Sequence, residues 1–419
     1  MSMRGSFAVL ALVATTWGCG TVSFAERQPQ PQEARWFRGN LHTHTLWSDG
    51  DDYPEMVGLW YRSHGYDFLV ITDHNVVPRG ERWIAPARTR GGLGAYRRYV
   101  EAFGDDWVEE RWRADTFEVR LRTLEEIRQA VEIPGRFLVI AGEELSQAIE
   151  RRSVHANGIN LAEEIPQPTG ESPAEILQKG LEAVRAQSTV ERPTLFHLNH
   201  PNFQWGVSAR DMAAVRELRF FEVFNGHPLT RNEGDAEHPG TERLWDLTLV
   251  EQIRRGEQLL YGVATDDAHY YFVYGPREVN PGRGWVQVRA RDLSARAIIE
   301  AMERGDFYAS TGVELDDIRF EDGRLSLRIR AEPGVEYRTR FIGTRAGAVQ
   351  ASSFAAPAGD DGIGVVLAEV AGTTPSYRFQ GDELYVRATV LSTKPRVNPE
   401  TVGATASAWV QPVRGPGRL

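Results

Sequence analysis

The chain has 419 residues, of which 41% are hydrophobic and 25% charged, and its formal net charge is −10 at pH 7. This length allows a large core and predicts more than one domain. The negative charge argues against nucleic acid as a general partner, because phosphate backbones are held by basic faces. Nearly all basic residues are arginines, since Lys179 and Lys394 are the only lysines, so a single arginine is weak evidence for a phosphate site.

The first 25 residues have the pattern of a secretory signal peptide. An apolar run over residues 7–19 is too short for a comfortable membrane span and suits the apolar region of such a signal. Two interpretations of its end stay open, which are cleavage before Glu26 and a lipoprotein signal ending before Cys19. A buried N-terminal helix is the alternative to both. Cys19 is the only cysteine, which excludes a disulfide within the chain.

This leader predicts an exported protein, either periplasmic or anchored as a lipoprotein in the envelope of a bacterium. Residues 26–35 follow as a polar linker. Contact with a membrane is expected only through a lipid on Cys19, because no other segment resembles a membrane span. Oligomeric state is left open by the sequence.

Residues 36–312 alternate short apolar runs with amphipathic stretches. Helix patterns occupy residues 54–65, 172–187 and 293–305, and the first starts with Pro and ends with Gly. Such alternation is typical of parallel β/α architecture, although it does not distinguish a barrel from an open sheet. The apolar runs predicted as strands are residues 36–42, 67–74, 136–145, 154–161, 194–201, 219–226 and 258–269.

Two segments depart from this alternation. Residues 79–122 are rich in Trp, Tyr and Arg, and they are interpreted either as a packed helical insertion or as a cap over a site. Residues 324–332 alternate apolar and polar side chains, as a half-buried antiparallel strand does. Residues 313–411 are therefore predicted to form a small β-sandwich, which either packs on the first domain or attaches to carbohydrate or the envelope.

Metal-binding side chains recur where the predicted strands end. His42 and His44 share one face of an extended strand, and Asp267 and His269 repeat that spacing. Functional residues of β/α folds collect at the C-terminal ends of strands, where the loops converge. Five such ends carrying histidine or carboxylate predict a metal cluster. The other strand ends carry His74, Glu143 or Glu144, and His200.

This ligand pattern resembles the PHP (polymerase and histidinol phosphatase) superfamily of metal-dependent phosphoesterases. The resemblance covers residues 36–312 and implies an α/β fold with a distorted seven-stranded β/α barrel. Finer features, including the C-terminal extension, resemble the CehA/McbA-like branch, which also contains hydrolases of non-phosphate esters. Its motifs are HxH…D, a strand-two His, Gly-x-Glu, a lone His, His-Pro and Asp-x-His. The metal ligands they imply are His42, His44, Asp49, His74, Glu144, His155, His200, Asp267 and His269.

The resemblance implies two or three divalent metal ions, with Glu144 as a bridging ligand. Mixed imidazole and carboxylate donors suit Mn, Zn or Fe better than Ca. Two close metals lower the pKa of a bridging water and clamp the attacking and leaving oxygens. The hypothesis is attack by metal-bound hydroxide on an ester, supported by Asp267 and Arg283.

Four further residues are predicted to contact substrate. Arg283 lies between two glycines, where a flexible loop would aim it at a phosphate, and the alternative is a surface arginine. Glu222, Asn225 and His227 end the sixth predicted strand and are expected to line the pocket. His197 is out of phase with His200 on its strand and is interpreted as a core residue.

Three functions stay open on this evidence. The first is an exported phosphoesterase acting on a small-molecule ester, without nucleic-acid binding. The second is a metallohydrolase of carboxylic esters, carbamates or lactones that uses the same site. The third is a non-catalytic surface binding module whose metals are structural. Cationic groups at the pocket mouth would favour the first, and a closed coordination shell would favour the third.

Overall fold

The fold is a mixed α/β arrangement around one large sheet, as seen in a computed structural model that describes residues 33–351 and 361–419. The signal peptide, both cleavage sites and most of the linker lie outside these residues. The strands are β1 (Arg35–Asn40), β2 (Phe68–Ile71), β3 (Arg82–Ile84), β4 (Glu110–Arg113), β5 (Thr116–Leu121), β6 (Leu138–Ile149), β7 (Arg152–Ile159), β8 (Leu195–Leu198), β9 (Phe220–Asn225), β10 (Tyr261–Thr265), β11 (Trp285–Ala290), β12 (Phe307–Ser310), β13 (Leu315–Glu321), β14 (Arg324–Ile329), β15 (Tyr337–Arg345), β16 (Val365–Ala371), β17 (Ser376–Arg378), β18 (Glu383–Pro395) and β19 (Thr405–Arg414).

Three of the α-helices lie where the sequence predicts them. Residues 54–65, 172–187 and 293–305 contain α1, α4 and α7, which confirms those three predictions. Ser172 and Ser294 cap the last two by accepting from Glu175 N and Ala297 N. No helix among the described residues has the length and apolar character needed to cross a membrane. The α-helices are α1 (Pro54–Ser63), α2 (Gly92–Phe103), α3 (Leu124–Val131), α4 (Pro173–Ala186), α5 (Ala209–Ala214), α6 (Thr241–Arg254) and α7 (Ala295–Glu303).

The large sheet is mixed and has 13 strands. Their order is β10-β9-β8-β7-β6-β2-β1-β11-β12-β19-β18-β15-β16. Four neighbouring pairs are parallel, namely β1–β2, β2–β6, β8–β9 and β9–β10. Every residue of β2 and of β9 is buried, as expected for strands covered on both faces.

The seven strands from β10 to β1 form a ring whose two ends, after β1 and after β10, are joined at one point only. An isolated parallel bridge joins Thr43 to Ala268, with His44 N donating to Ala268 O at 2.9 Å and Asp267 N to His42 O at 3.1 Å. The edge of β1 that could pair with β10 is taken by β11. The closed seven-stranded barrel is therefore not confirmed, because no ladder joins β1 to β10.

The C-terminal strands continue the large sheet. Strands β12, β19, β18, β15 and β16 follow β11 in order, and β13-β14-β17 form a separate three-stranded sheet. Leu325 and Tyr377 of that small sheet share a core with Phe341 and Val390 of the large one. Ala34–Leu419 is one compact unit, so a separate sandwich is not confirmed, and a domain boundary at residue 312 stays a prediction.

A buried ionic network ties α6 to β18. Arg387 is 1% exposed and places Nε 2.8 Å and Nη2 2.7 Å from the two carboxylate oxygens of Asp246. Tyr385 donates its hydroxyl to the same carboxylate at 2.7 Å. Both charges are thereby paired, as buried charges must be.

The insertion at residues 79–122 is only partly helical. It contains α2, but also the antiparallel sheet β3-β5-β4 on both sides of that helix, so the prediction of a helical insertion is wrong for these three strands. Tyr99 and Val119 of this insertion share a core with Leu46 and Trp47, which follow β1. The insertion thus supports the loop that leads to Asp49.

Candidate metal centre

All nine predicted ligands lie together at one end of the α/β half. His42 and His44 follow β1, and Asp267 and His269 follow β10, on the two sides of the bridge that joins the ring. Asp49 lies in the loop that follows His44. The other four ligands are His74 after β2, His200 after β8, Glu144 within β6 and His155 within β7.

Backbone pairing brings β2 and β6 into register at the site. His74 and Glu144 form a parallel bridge beyond the end of β2, and Asn75 N donates to Glu144 O at 2.8 Å. A Cβ on Gly142 would lie 2.7 Å from Cγ1 of Val70, so glycine in the Gly-x-Glu motif permits this close approach. The ligand positions therefore follow from strand packing.

Strand alternation resolves the choice between adjacent acids. Glu144 is fully buried and faces the histidines, whereas Glu143 points to the opposite side and accepts from Ile165 N at 2.8 Å. Asp266 likewise turns away, because its Oδ1 accepts from Arg283 N and Gly284 N. Of these four acids, only Glu144 and Asp267 have donor atoms in the cluster.

The nine donors form four overlapping groups. Within each group the candidate ligand atoms lie within 4.8 Å of one another. Glu144, His42, His44 and His74 each belong to two groups. Of these four, only Glu144 has two carboxylate oxygens that could reach two cations, because an imidazole nitrogen has a single lone pair. The groups are His44, Asp49, His74 and His269; His42, His200 and Asp267; His42, His44 and Glu144; and His74, Glu144 and His155.

Distances between the donors fit ligands arranged around a common cation. The Nε2 atoms of His42 and His200 lie 3.3 Å from Glu144 Oε1, and His42 Nε2 lies 3.3 Å from Asp267 Oδ1. His269 Nε2 lies 3.4 Å from Asp49 Oδ1. Metal bonds of about 2.0–2.1 Å put tetrahedral ligands about 3.3–3.4 Å apart. The donor set therefore fits a nitrogen- and oxygen-binding divalent metal.

Electrostatics keep the central carboxylates ionised. Burial opposes ionisation of Glu144, but His74, His155 and His42 outweigh it and hold the pKa of Glu144 well below its usual range. His42 and His44 act in the same direction on the pKa of Asp267. Ionised carboxylates are the form that binds a cation.

The same burial favours a neutral imidazole at His44. Its desolvation, together with His269 and His74, lowers the pKa of His44 to about 3. At His74 burial also disfavours the charged form, but Glu144 and Asp49 outweigh it and raise the pKa to about 9. A cation held by His74 would therefore displace a proton.

Glu222 binds the Nδ1 side of the His42 ring, opposite the Nε2 atom that faces the cluster. It is fully buried, and its Oε1 lies 2.8 Å from His42 Nδ1 and accepts from Thr265 Oγ1 at 2.7 Å. Its Oε2 accepts from His200 N at 2.7 Å and from Asn225 Nδ2 at 2.8 Å. This carboxylate fixes the ring of His42 with Nε2 toward the cluster.

Three of the four predicted substrate contacts are corrected by these bonds. Glu222 and Asn225 are 0% exposed, and Asn225 also bonds Asp267 Oδ2 at 3.2 Å, so both support ligands. Arg283 is 1% exposed. Its guanidinium donates to the carbonyls of Gly226, Gly275 and Asn398 at 2.8–2.9 Å, which leaves it unavailable to a phosphate.

His227 keeps the geometry of a substrate contact. It is half-buried, and its ring lies 6.3 Å from that of His269. Its Nδ1 accepts from Leu229 N at 3.1 Å, which puts the proton of the neutral ring on Nε2. Burial is the main cause that lowers the pKa of His227 to about 4. His227 therefore offers an N–H donor beside the cluster.

Several supporting residues were not predicted from the sequence. Asn199 donates to Glu144 Oε1 at 2.8 Å, and Ser146 Oγ lies 2.6 Å from His74 Nδ1. Their signals were available, because Asn199 precedes a ligand in a buried run and Ser146 shares a strand face with Glu144. Glu222 had a similar signal, since a carboxylate within an apolar strand requires a partner.

The loop from Thr45 to Asp49 is fixed by Asp73. That buried carboxylate accepts from Thr45 N at 2.8 Å, from Thr45 Oγ1 at 2.7 Å and from Ser48 Oγ at 2.6 Å.

His197, predicted as a core residue, is fully buried, and its ring centre lies 6.5 Å from that of His42. Asp267 adopts φ +51°, a left-handed conformation that Asp tolerates better than most residues.

Comparison with known proteins finds similar solved structures, two of which are described below, and no match in sequence. No family model matches the chain, and no curated protein does. A two-domain protein from Bacteroides vulgatus, named as containing a predicted PHP-like metal-dependent phosphoesterase, shares 14% identity. The alignment covers 92% of this chain and 99% of that one, with a TM-score of 0.39.

The second similar structure comes from Bifidobacterium adolescentis, and its name also gives metal-dependent phosphoesterase as a prediction. It shares 14% identity over 58% of this chain and 89% of its own, with a TM-score of 0.30. The PHP resemblance of the sequence and its CehA/McbA-like branch both stay predictions. At TM-scores below 0.5 the likeness carries no argument about activity, so function is argued from the site.

Proposed function

We propose that this protein is a metal-dependent phosphoesterase whose nine-residue centre holds two or three divalent cations. The observation that carries the proposal is the convergence of six histidines and three carboxylates into overlapping groups of donors. A single structural cation needs four ligands, so nine donors imply more than one ion. The mixture of imidazole and carboxylate suits Mn, Zn or Fe.

The protein's own residues would hold and orient the reacting groups. Bound cations would supply Lewis-acid polarisation of the ester and acidify a bound water. Asp49, Glu144 and Asp267 offset the cationic charge, and Glu222 keeps His42 in one orientation. His227 would donate its Nε2 proton in a hydrogen bond to a substrate oxygen.

Access to solvent supports a reactive centre over a purely structural one. Most ligands are buried, but the side chains of Asp49 and His74 are 58% and 28% exposed. Structural metal sites are closed by protein ligands, whereas catalytic sites keep an open position. The Asp49 and His74 edge is the side from which an ester would enter.

A second candidate function is hydrolysis of an uncharged ester, carbamate or lactone. Within residues 33–351 and 361–419, Asp49, Glu144 and Asp267 form ion pairs with histidines and with no arginine or lysine. Arg283 is held by three backbone carbonyls. A substrate that needs no cationic side chain for recognition would fit this arrangement.

A matched hydrolysis screen tests the proposal. The substrates are p-nitrophenyl phosphate, bis-p-nitrophenyl phosphate and p-nitrophenyl acetate, each assayed with Mn, Zn or Fe(II). We expect metal-dependent phosphate ester turnover that is lost in His42→Ala, because that ring belongs to two donor groups. His238→Ala is the control, since His238 stacks on Trp205 and pairs with Asp235 away from the centre.

Each outcome separates the candidates. Turnover of a phosphate ester supports the first function, and the better of the two substrates distinguishes monoesterase from diesterase. Turnover of the acetate ester alone would replace the first function with the second. Metal bound at full stoichiometry with no turnover of any substrate would favour the structural role.

We also propose export, on the basis of the N-terminal sequence alone. Expression of the full chain in a bacterium, followed by fractionation and mass spectrometry of the mature N-terminus, tests it. A soluble periplasmic form beginning at Glu26 supports signal peptidase cleavage. A membrane-bound form that becomes soluble in Cys19→Ala supports the lipoprotein. An uncleaved cytoplasmic chain refutes export.

A further inference from the structure

A second cavity lies between the α/β half and the C-terminal strands, apart from the nine ligands. Its volume is about 410 Å³, within the usual range of about 300–1,000 Å³ for small-molecule sites. None of the nine ligands lines it. Its walls include the rings of Trp60, Tyr66, Tyr274 and Trp285. Trp60 Nε1 donates to Tyr274 Oη at 2.7 Å across one side.

Arg38 of β1 lies in this cavity with its charge unpaired. Its guanidinium carbon is 3.7 Å from the ring centre of Trp285 and 4.1 Å from that of Tyr66, so two rings hold it in place. Across residues 33–351 and 361–419 it forms no ion pair with a carboxylate. Asp67, which could have paired with it, uses Oδ2 to accept from the backbone N of Arg38 at 2.8 Å.

Other charges of the cavity wall are neutralised. Lys394 Nζ lies 2.6 Å from Glu332 Oε1. Glu314 pairs with Arg330 at 2.5 Å. The guanidinium of Arg38 therefore gives the wall of the cavity a positive charge, which favours an anion.

Buried donors in the same wall also lack partners. Tyr66 Oη and Trp285 Nε1 have no hydrogen-bond partner among the described residues, although the two side chains are only 3% and 7% exposed. Arg38 Nε and Asn398 Nδ2 share this condition. These four atoms have almost no solvent-exposed surface, so an anion in the cavity would be recognised through the unpaired guanidinium of Arg38.

We propose that this cavity binds a small carboxylate carried on a six-membered ring. The carboxylate would accept from Arg38 in the planar geometry that guanidinium groups favour. The ring would pack on Trp60 and Tyr274, because aromatic side chains present flat apolar faces. A sugar acid and an aromatic acid share this chemistry. The site is independent of the metal centre, so it stands or fails separately from the proposed hydrolysis.

Binding of two probe acids to the full-length protein tests the site. Sodium glucuronate and sodium benzoate are titrated by calorimetry and by tryptophan fluorescence, with glucose and benzyl alcohol as uncharged counterparts. We expect one acid at least to bind, with its uncharged counterpart weaker by about tenfold or more, since a charge-assisted bond is lost. The stronger acid identifies the ring as sugar or aromatic.

Two variants locate the binding. Arg38→Gln should weaken the acid by about tenfold or more, and Trp60→Ala should weaken it through loss of stacking. Arg136→Gln is the control, because Arg136 is exposed and outside the cavity. If Arg38→Gln does not fold, Trp60→Ala and the uncharged counterparts still test whether the acid binds in this cavity through its charge and its ring. No binding of either acid up to about 10 mM, or equal binding in Trp60→Ala or of the uncharged counterpart, overturns the proposal.

Discussion

At the scale of single residues, the centre depends on side chains that do not themselves bind a cation. Glu222 accepts four hydrogen bonds, two of them from His42 and the backbone of His200. A carboxylate in this position fixes both the tautomer and the direction of the ligand ring. Loss of one such group should therefore affect metal affinity more than folding.

The first prediction concerns Glu222→Gln. The amide keeps the size of the side chain, but it presents an N–H₂ group to donors on one side. We expect metal affinity to fall by about 10–100-fold, measured by competition with a chromophoric chelator. Glu321→Gln is the matched control, because Glu321 is exposed at the end of β13. Equal affinity in both variants would remove Glu222 from the ligand-supporting role.

The second prediction concerns chelation. Cations that bind only the folded state stabilise it by about 4 kcal/mol at a thousandfold excess over Kd. We expect a chelator to lower Tm in calorimetry and re-added Mn or Zn to restore it. His42→Ala should respond less than His238→Ala. A Tm that is the same with and without chelator would count against a metal centre.

At the scale of elements, α3 provides a test of pH dependence. Glu126 completes a capping box by accepting from Thr123 N at 2.8 Å, and its Oε1 accepts from Arg122 Nη1 at 2.8 Å. Burial opposes ionisation, but Arg120 and these bonds outweigh it and lower the pKa of Glu126 to about 2. A carboxyl group whose pKa is lower in the folded than in the unfolded state stabilises the fold fully at pH values above its unfolded-state pKa. This stabilisation is lost as the pH falls through its folded-state pKa.

The third prediction follows from the lowered pKa of Glu126. Glu126→Gln should lower the free energy of unfolding by about 1 kcal/mol at pH 7, a value reduced for the partial exposure of the side chain. The difference should shrink from pH 5 downward and be gone near pH 2. Glu125→Gln is the control, since Glu125 is exposed on the same turn. A deficit that persists unchanged at low pH would contradict the electrostatic origin.

Much of the fold and the site was accessible to sequence reasoning. Helix α4 was predictable because Ile176, Leu177, Leu181 and Val184 repeat at helical spacing and are all buried. His42 and His44 were predictable because strand geometry puts them on one face. Local periodicity carries both inferences, so neither needed knowledge of distant contacts.

Other features required contacts that a single sequence does not contain. The pattern of β1 does not reveal that β11 takes its second edge, so the open ring was not predicted. Arg283 between glycines suggested a mobile loop, but three carbonyls from distant segments bind it. Residues 110–121 belong to the segment interpreted as a packed helical insertion or a cap, yet they form β4 and β5.

At the scale of the whole molecule, the α/β half and the C-terminal strands are coupled. They share one sheet, and Arg387 of β18 is paired with Asp246 of α6 in the interior. Strand continuity and a buried ion pair between the halves favour unfolding as one unit.

The fourth prediction is a single calorimetric transition for the metal-loaded protein. Asp246→Ala should lower the free energy of unfolding by about 2–3 kcal/mol, because Arg387 loses the carboxylate that accepts from Nε and Nη2 and keeps Glu242 as its remaining ionic partner. Asp292→Ala is the control, since Asp292 is exposed in the loop between β11 and α7. Two separate transitions in the unmutated protein would show that the halves unfold independently.

The single bridge between Thr43 and Ala268 has a consequence for how the centre is kept together. Its two hydrogen bonds start from the amides of His44 and Asp267, both of which are donors in the cluster. The gap in the ring therefore opens where the cations would sit. Cations bound there would link the two ends of the ring through the side chains of these residues. Slower exchange of those two amides with deuterium on addition of metal would then report this link.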